Sequence, residues 1–122
     1  MSKYFYDSFA FIEYFHGNLR YKPYFEEHTG ITTLFNVAEV YYIVLNEMGK
    51  EMADEMVKTI LSYVADVDGE IITKAMLFRS IHKKKKLSYA DCIGYEVARL
   101  KDILFLTGDI QFKDLPNVMF VK

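Results

Sequence analysis

Apolar and polar positions along this 122-residue chain alternate between short apolar runs and longer stretches with helical period. Lys3-Tyr-Phe-Tyr6 is a short aromatic run that ends at Asp7-Ser8, which predicts a strand and then a turn. A helix is expected over Phe9–Phe15, stopped by Gly17. Leu19–His28 reads as a second short helix, with Pro23 near its first turn, where proline is tolerated. Ile31–Thr32 reads as a short strand, and Thr33 opens a helix that runs to Met48 and closes at Gly49. Over Glu51–Ala65, Met52, Ala53, Met56, Val57, Ile60, Leu61 and Val64 follow the 3.6-residue period with charges opposite. Asp66–Asp68 is expected to hold a minimal strand, and Glu70–Lys84 a helix. The next helix, Ser88–Asp102, opens with a Ser-x-x-Asp capping box at Ser88 and Asp91. Ile103–Leu106 and Val118–Val121 read as the last strands. Strands alternating with helices predict an α/β domain, a central parallel sheet flanked by helices.

Length sets a single domain over residues 1–122, and 52% hydrophobic with 26% charged residues is a globular composition. A net charge of −2 excludes a generally basic nucleic-acid coat but leaves room for a local basic patch. One cysteine excludes an intrachain disulfide and any multi-cysteine zinc site. No uncharged apolar run approaches the roughly 18 residues of a membrane span. Asp7 and Glu13 interrupt the apolar start of the chain and argue against a signal peptide, so a cytoplasmic location is expected. Ten of the twenty aromatic residues fall within Tyr4–Phe25. That surplus, with six methionines, predicts an apolar surface that a homodimer would cover, and a partner groove around Tyr21–Phe25.

Four carboxylates occupy unusual places. Asp7 directly follows the first strand, and Asp109 follows the strand at Ile103–Leu106 after Thr107-Gly108. Parallel sheets bind ligands at the carboxyl ends of their strands. Glu39 lies in a helix that is apolar nearly all round and therefore reads as buried, with Phe35, Tyr42 and Ile43 at i−4, i+3 and i+4. A carboxylate there needs a partner or a metal. Asp91 has Leu87, Gly94 and Tyr95 at the same spacings, and Gly94 would leave room beside it for a metal or a phosphate. Each acid alone has a plain structural use: helix caps for Asp7 and Asp91, an Asx-turn for Asp109, an exposed edge for Glu39. Four together, without histidine or cysteine spacing, suit a hard cation such as Mg²⁺ or Mn²⁺.

His82-Lys-Lys-Lys-Lys86 is the only basic run. Lys83, Lys84, Lys85 and Lys86, with Arg79 one turn earlier, are candidate nucleic-acid phosphate contacts beside the acids. Their structural alternative is a solvated helix end opposing the helix dipole. Cys92 reads as core, the three histidines show no ligand spacing, and there is no Gly-rich phosphate loop.

Phe5-Tyr-Asp-Ser8 followed by Ala10-Phe-Ile-Glu-Tyr-Phe15 resembles the opening of PIN domains, as found in VapC-type toxin ribonucleases. Ala38-Glu39 resembles the Ala-Glu pair early in the family's helix after strand two. Leu87-Ser-Tyr-Ala-Asp91 resembles its Leu-Ser-x-x-Asp stretch, and Thr107-Gly-Asp-Ile-Gln-Phe112 its closing Thr-x-Asp-x-x-Phe. The resemblance spans essentially the whole chain, in order. It implies a Mg²⁺- or Mn²⁺-dependent nuclease acting on RNA, with an antitoxin as protein partner. Asp7, Asp91 and Asp109 are then metal ligands, and Glu39 a ligand or the base that orients water. Thr107 is a polar group supporting the ligands, with Ser8 a weaker candidate for that role. The chain departs from the family at Phe9, where asparagine or serine is frequent, which removes a polar side chain from the neighbourhood of the metal. Two other readings compete: a catalytically silent PIN-like RNA-binding or adaptor module, and a phospho-receiver with its acceptor near Asp66 or Asp68. The receiver reading leaves Glu39 and Asp91 unexplained.

Overall fold

A computed structural model describes residues 2–122. In chain order it has β1 (Lys3–Tyr6), α1 (Ser8–Phe15), α2 (Lys22–Glu26), β2 (Thr29–Ile31), α3 (Leu34–Met48), α4 (Lys50–Leu61), α5 (Gly69–Ile81), α6 (Tyr89–Leu100), β3 (Leu104–Thr107), a 3₁₀ turn (Ile110–Phe112) and β4 (Val118–Phe120). The strands form one parallel sheet in the order β2-β1-β3-β4. In register, Tyr4 faces Leu104, Phe5 faces Phe105 and Tyr6 faces Leu106.

Side chains alternate across a strand, so this register sorts them into two layers. Tyr4, Tyr6 and Leu106 pack with Phe11, Val40, Val44 and Ile60 on the face covered by α1, α3 and α4. Phe5 and Phe105 stack at 5.5 Å on the other face, against Ile93, Val97 and Phe112. β1 is aromatic at Tyr4, Phe5 and Tyr6 and β3 is apolar from Leu104 to Leu106, so alternation gives each face of the sheet half of a core. The early aromatics are consumed here: Phe25 stacks on Tyr6 at 4.2 Å and on Tyr14 at 4.4 Å, and Tyr21 is fully buried. The expected partner groove around Tyr21–Phe25 is therefore corrected to core.

Helix α6 is buried on nearly every side, from Cys92 to Ala98. Gly94 is what allows it to lie on the sheet. A Cβ there would stand 2.6 Å from the Phe5 ring and 3.3 Å from the Phe105 ring. The room expected beside Asp91 is thus filled by aromatic rings from β1 and β3. Gly94→Ala is expected to destabilise the fold by about 1–3 kcal/mol through overpacking, measured as a shift of the urea midpoint at unchanged slope.

Other boundaries differ for local reasons. The strand expected at Asp66–Asp68 is replaced by a single parallel bridge between Thr32 and Val64. Asp68 instead caps α5, accepting the Ile71 N–H at 2.9 Å. Helix α5 stops at Ile81 rather than Lys84, and α2 is shorter than Leu19–His28. Helix α3 is not buried all round: Asn36, Val37, Val40 and Val44 face inward, while Leu34, Phe35, Tyr42 and Ile43 are exposed. Among the described residues no helix is long and apolar enough to cross a membrane.

Candidate active site

The carboxyl ends of β1 and β3 are neighbours, which sets Asp7 beside Thr107 across 100 residues of chain. Asp7 occupies the cap position of α1, yet its side chain makes no cap hydrogen bond. It turns to the sheet edge, where Oδ2 accepts the Thr107 hydroxyl at 2.7 Å. Asp7 is 1% exposed, and its Oδ1 is buried without a hydrogen-bond partner. A buried acceptor left open is costly in a structural role and useful in a ligand. The Thr107 hydroxyl also accepts the Asp109 N–H at 3.0 Å, so one buried side chain holds both strand-end acids.

Glu39 arrives from α3 and is half-buried. Its Oε1 accepts the Ser8 hydroxyl at 2.7 Å, and Ser8 accepts the Asn36 amide at 3.0 Å. Asn36 Oδ1 in turn accepts the hydroxyl of Thr33, the α3 cap residue, at 2.6 Å. This relay aims Glu39 from the helix start toward β1. Asn36 was not legible as a site residue from apolar neighbours at i−4, i+3 and i+4. The signal lay at i−3 on the same helix face, a lone amide in an otherwise apolar run.

Asp91 does close a capping box: Oδ2 accepts the Ser88 N–H at 2.8 Å, while the Ser88 hydroxyl accepts the Asp91 N–H. Asp109 does make an Asx-type turn, Oδ1 accepting the Gln111 N–H at 3.0 Å. The structural uses of these two acids are real, and each occupies one oxygen. Among the described residues, all four carboxylates share this pattern, with one oxygen pinned by a hydrogen bond.

Asp7 and Asp91 also feel the charges of their acidic neighbours. Burial pushes the Asp7 carboxyl well above the usual carboxylate range; the charges of Asp91 and Glu39 raise it further, and the Thr107 hydroxyl opposes them. Burial raises Asp91 to about 6, helped by the charges of Glu39 and Asp109 and opposed by the Ser88 hydrogen bonds. Like charges that raise a neighbour's proton affinity favour a proton or a cation beside it. Among the described residues no three His, Cys, Asp or Glu side chains already stand as a finished metal cage. The donor set still fits a hard divalent ion. It is all oxygen, and the buried open oxygen of Asp7 lacks only an electrophilic partner.

The basic run divides. Lys83, Lys84 and Lys86 are exposed. Lys85 is not available as an RNA contact: its Nζ donates to the Gln111 carbonyl at 3.0 Å and pairs with Asp114 at 3.3 Å. It clamps the turn that follows Asp109. Arg79 donates from Nε to the Leu87 carbonyl at 3.0 Å, beside the start of α6. Phe9 packs over Gly108, where a Cβ would come within 2.5 Å of the Phe9 ring and of the Tyr21 hydroxyl. Cys92 is buried core, its thiol raised to about 11 chiefly by burial.

A four-stranded parallel sheet flanked by helices, with Asp7 and Asp109 following its two central strands, defines an α/β domain. The sequence matches the PIN domain family over residues 4–118, and the chain belongs to that family. Two solved structures share the fold. One is a toxin–antitoxin complex from Klebsiella pneumoniae, 18% identical, with a TM-score of 0.71, covering 98% of this chain and 96% of that one. The other is VapC20 of Mycobacterium tuberculosis, a toxin that cleaves the sarcin–ricin loop, 19% identical, with a TM-score of 0.80 over 94% of this chain and 96% of that one. Comparison with curated proteins finds no significant match.

Proposed function

We propose that this protein is a Mg²⁺- or Mn²⁺-dependent endoribonuclease, the toxin of a toxin–antitoxin pair. The single observation that carries the reading is the Asp7 carboxylate, buried at the end of β1 with Oδ2 pinned by Thr107 and Oδ1 open, and raised further by the charges of Asp91 and Glu39. Membership of the PIN domain family and the two toxin structures that share the fold support it.

Asp7, Asp91 and Asp109 would hold the cation, directly or through water, and Glu39 would bind it or orient the attacking water. A divalent ion bound there supplies an activated water and neutralises charge on the scissile phosphate and leaving oxygen. Thr107 keeps the Asp7 carboxylate from rotating and works against the rise that burial imposes on it, which favours the ionised form a cation would bind. The Thr33–Asn36–Ser8 relay does the same for Glu39. Incubation of total RNA with the protein in Mg²⁺, Mn²⁺ or EDTA tests the reading. Cleavage is expected only with metal, and equal cleavage in EDTA overturns it.

The exposed lysines Lys83, Lys84 and Lys86 would contact RNA phosphates. Neutralising Lys83 and Lys84 together is expected to weaken RNA binding across sequences. The slope of log affinity against log salt should fall by about 0.7 per lost phosphate contact on a single strand. The exposed apolar residues of α3, Leu34, Phe35, Tyr42 and Ile43, suit burial against an antitoxin or a second copy of this chain.

A catalytically silent RNA-binding or adaptor module remains the competing reading, favoured by the Phe9 ring standing over Gly108 where the family often carries a polar residue. A Mn²⁺ titration monitored by melting and by cleavage separates the two, because only the enzyme couples metal affinity to strand scission.

A further inference from the structure

We propose that Tyr89, held in place by Arg79, is a nucleobase-stacking subsite for a single-stranded RNA beside the acidic site. Tyr89 is the first residue of α6 and is 62% exposed. Nothing local accounts for an aromatic there. Ser88 and Asp91 form the capping box without it, and Ala90 is the residue of that turn that enters the core. The Arg79 guanidinium lies over the ring, Cζ 4.7 Å from the centroid. The Arg79 Nε–H bond to the Leu87 carbonyl fixes the guanidinium, so the stack is anchored to backbone. Among the described residues no ion pair takes Arg79.

The guanidinium thus covers one ring face of a residue that otherwise stands largely in solvent. A base can stack on an open aromatic face whatever its identity, and the covering cation adds attraction for the phosphate on either side. Position supports the same occupant. Tyr89 and Asp91 are two residues apart in the first turn of α6, so their side chains leave opposite sides of the helix end. A strand crossing that end would present a phosphate to the Asp91 side and a neighbouring base to Tyr89. Exposed Lys86 lies just before this turn, on the same approach. A protein partner would gain from the same ring, but the unpaired cation and the adjoining lysines favour a polyanion.

The inference rests on the ribonuclease reading for its substrate, and the experiment separates the two. The chain has no tryptophan, so Tyr89→Trp installs a lone indole reporter. Titration with a single-stranded 12-mer RNA in EDTA at low salt is expected to quench it saturably. The same oligomer lacking its bases should bind by anisotropy yet leave the indole unquenched. In parallel, Tyr89→Ala is expected to weaken binding about 5- to 100-fold and to raise KM with little change in kcat, while Tyr89→Phe restores both. Equal quenching by the base-free oligomer overturns the stacking assignment. So does RNA affinity unchanged in Tyr89→Ala, a result that would leave the ring to a protein partner. Base-dependent quenching in Tyr89→Trp, beside a wild-type protein that cleaves nothing with Mg²⁺ or Mn²⁺, would remove the ribonuclease reading and keep the subsite. Metal-dependent cleavage with no loss in Tyr89→Ala would do the opposite.

Discussion

Asp91→Asn is expected to melt above the wild-type protein in EDTA, to gain little from Mn²⁺, and to cleave no RNA. Burial and the charges of Glu39 and Asp109 raise the Asp91 carboxyl to about 6 in the folded protein. An acid whose folded pKa lies above its unfolded value binds protons more tightly when folded. Its ionised form therefore penalises the fold at neutral pH, and the penalty fades as pH falls through about 6. Metal-free wild type should gain stability between pH 8 and 5, and the amide variant should show a flatter profile. The gain at pH 7.5 is expected to be about 1–3 kcal/mol, or several degrees in Tm. The helix cap survives the change, because the asparagine carbonyl can still accept the Ser88 N–H that Asp91 Oδ2 accepts now. Mn²⁺ at a hundredfold excess over its Kd should stabilise wild type by about 2.7 kcal/mol, and most of that should vanish in the variant. If Asp91 serves only as a cap, the order reverses: a small loss in EDTA and no metal-dependent difference. Thermal melts of both proteins from pH 5 to 8, with EDTA and with Mn²⁺, decide it.

Asp7→Asn should abolish cleavage, a loss of more than about 100-fold, and Thr107→Val should lower it by about 10- to 100-fold. Asp7 contributes no side-chain cap to α1, so the helix does not depend on its charge. Among the described residues its side chain is held by the Thr107 hydroxyl, which lowers a carboxyl otherwise driven up by burial and by Asp91. Valine keeps the volume of threonine and removes that bond. The Asp7 carboxyl should then rise further, and the acid limb of the cleavage profile should move to higher pH. Metal affinity from calorimetry should fall in both variants, further in Asp7→Asn. Retained cleavage in Asp7→Asn with a normal fold would remove the acid from the reaction.

Residue types carried much of the candidate site. Asp7 and Asp109 stand out because an acid directly after an apolar strand is rare without a use, and Ser88 with Asp91 is a capping box at any level of description. Whether such an acid is a cap, a ligand or both could not be read from spacing. A carboxylate has two oxygens, and capping claims one. Gly94 was misread because its reason lies across the sheet, in the rings of Phe5 and Phe105. Glu39 was placed in a fully buried helix because α3 is apolar on nearly every side. Its neighbours α4, α1 and α6 cover only part of its surface, so Tyr42 and Ile43 remain in water. Lys85 looked like its neighbours until the turn after Asp109 came within reach of its Nζ.

By itself, the order of residues determined the element types, the alternation that splits Phe5 from Tyr4 and Tyr6, and the helix starts at Thr33 and Ser88. These follow from rules that act over one to four residues, such as side-chain period, capping and turn chemistry. Only the tertiary structure decided that Asp7 meets Thr107, that Ser8 and Asn36 aim Glu39, and that Arg79 covers one face of Tyr89. Those contacts come from the strand order β2-β1-β3-β4 and from helices laid on its two faces. They join residues up to 100 positions apart, a distance over which no local propensity acts.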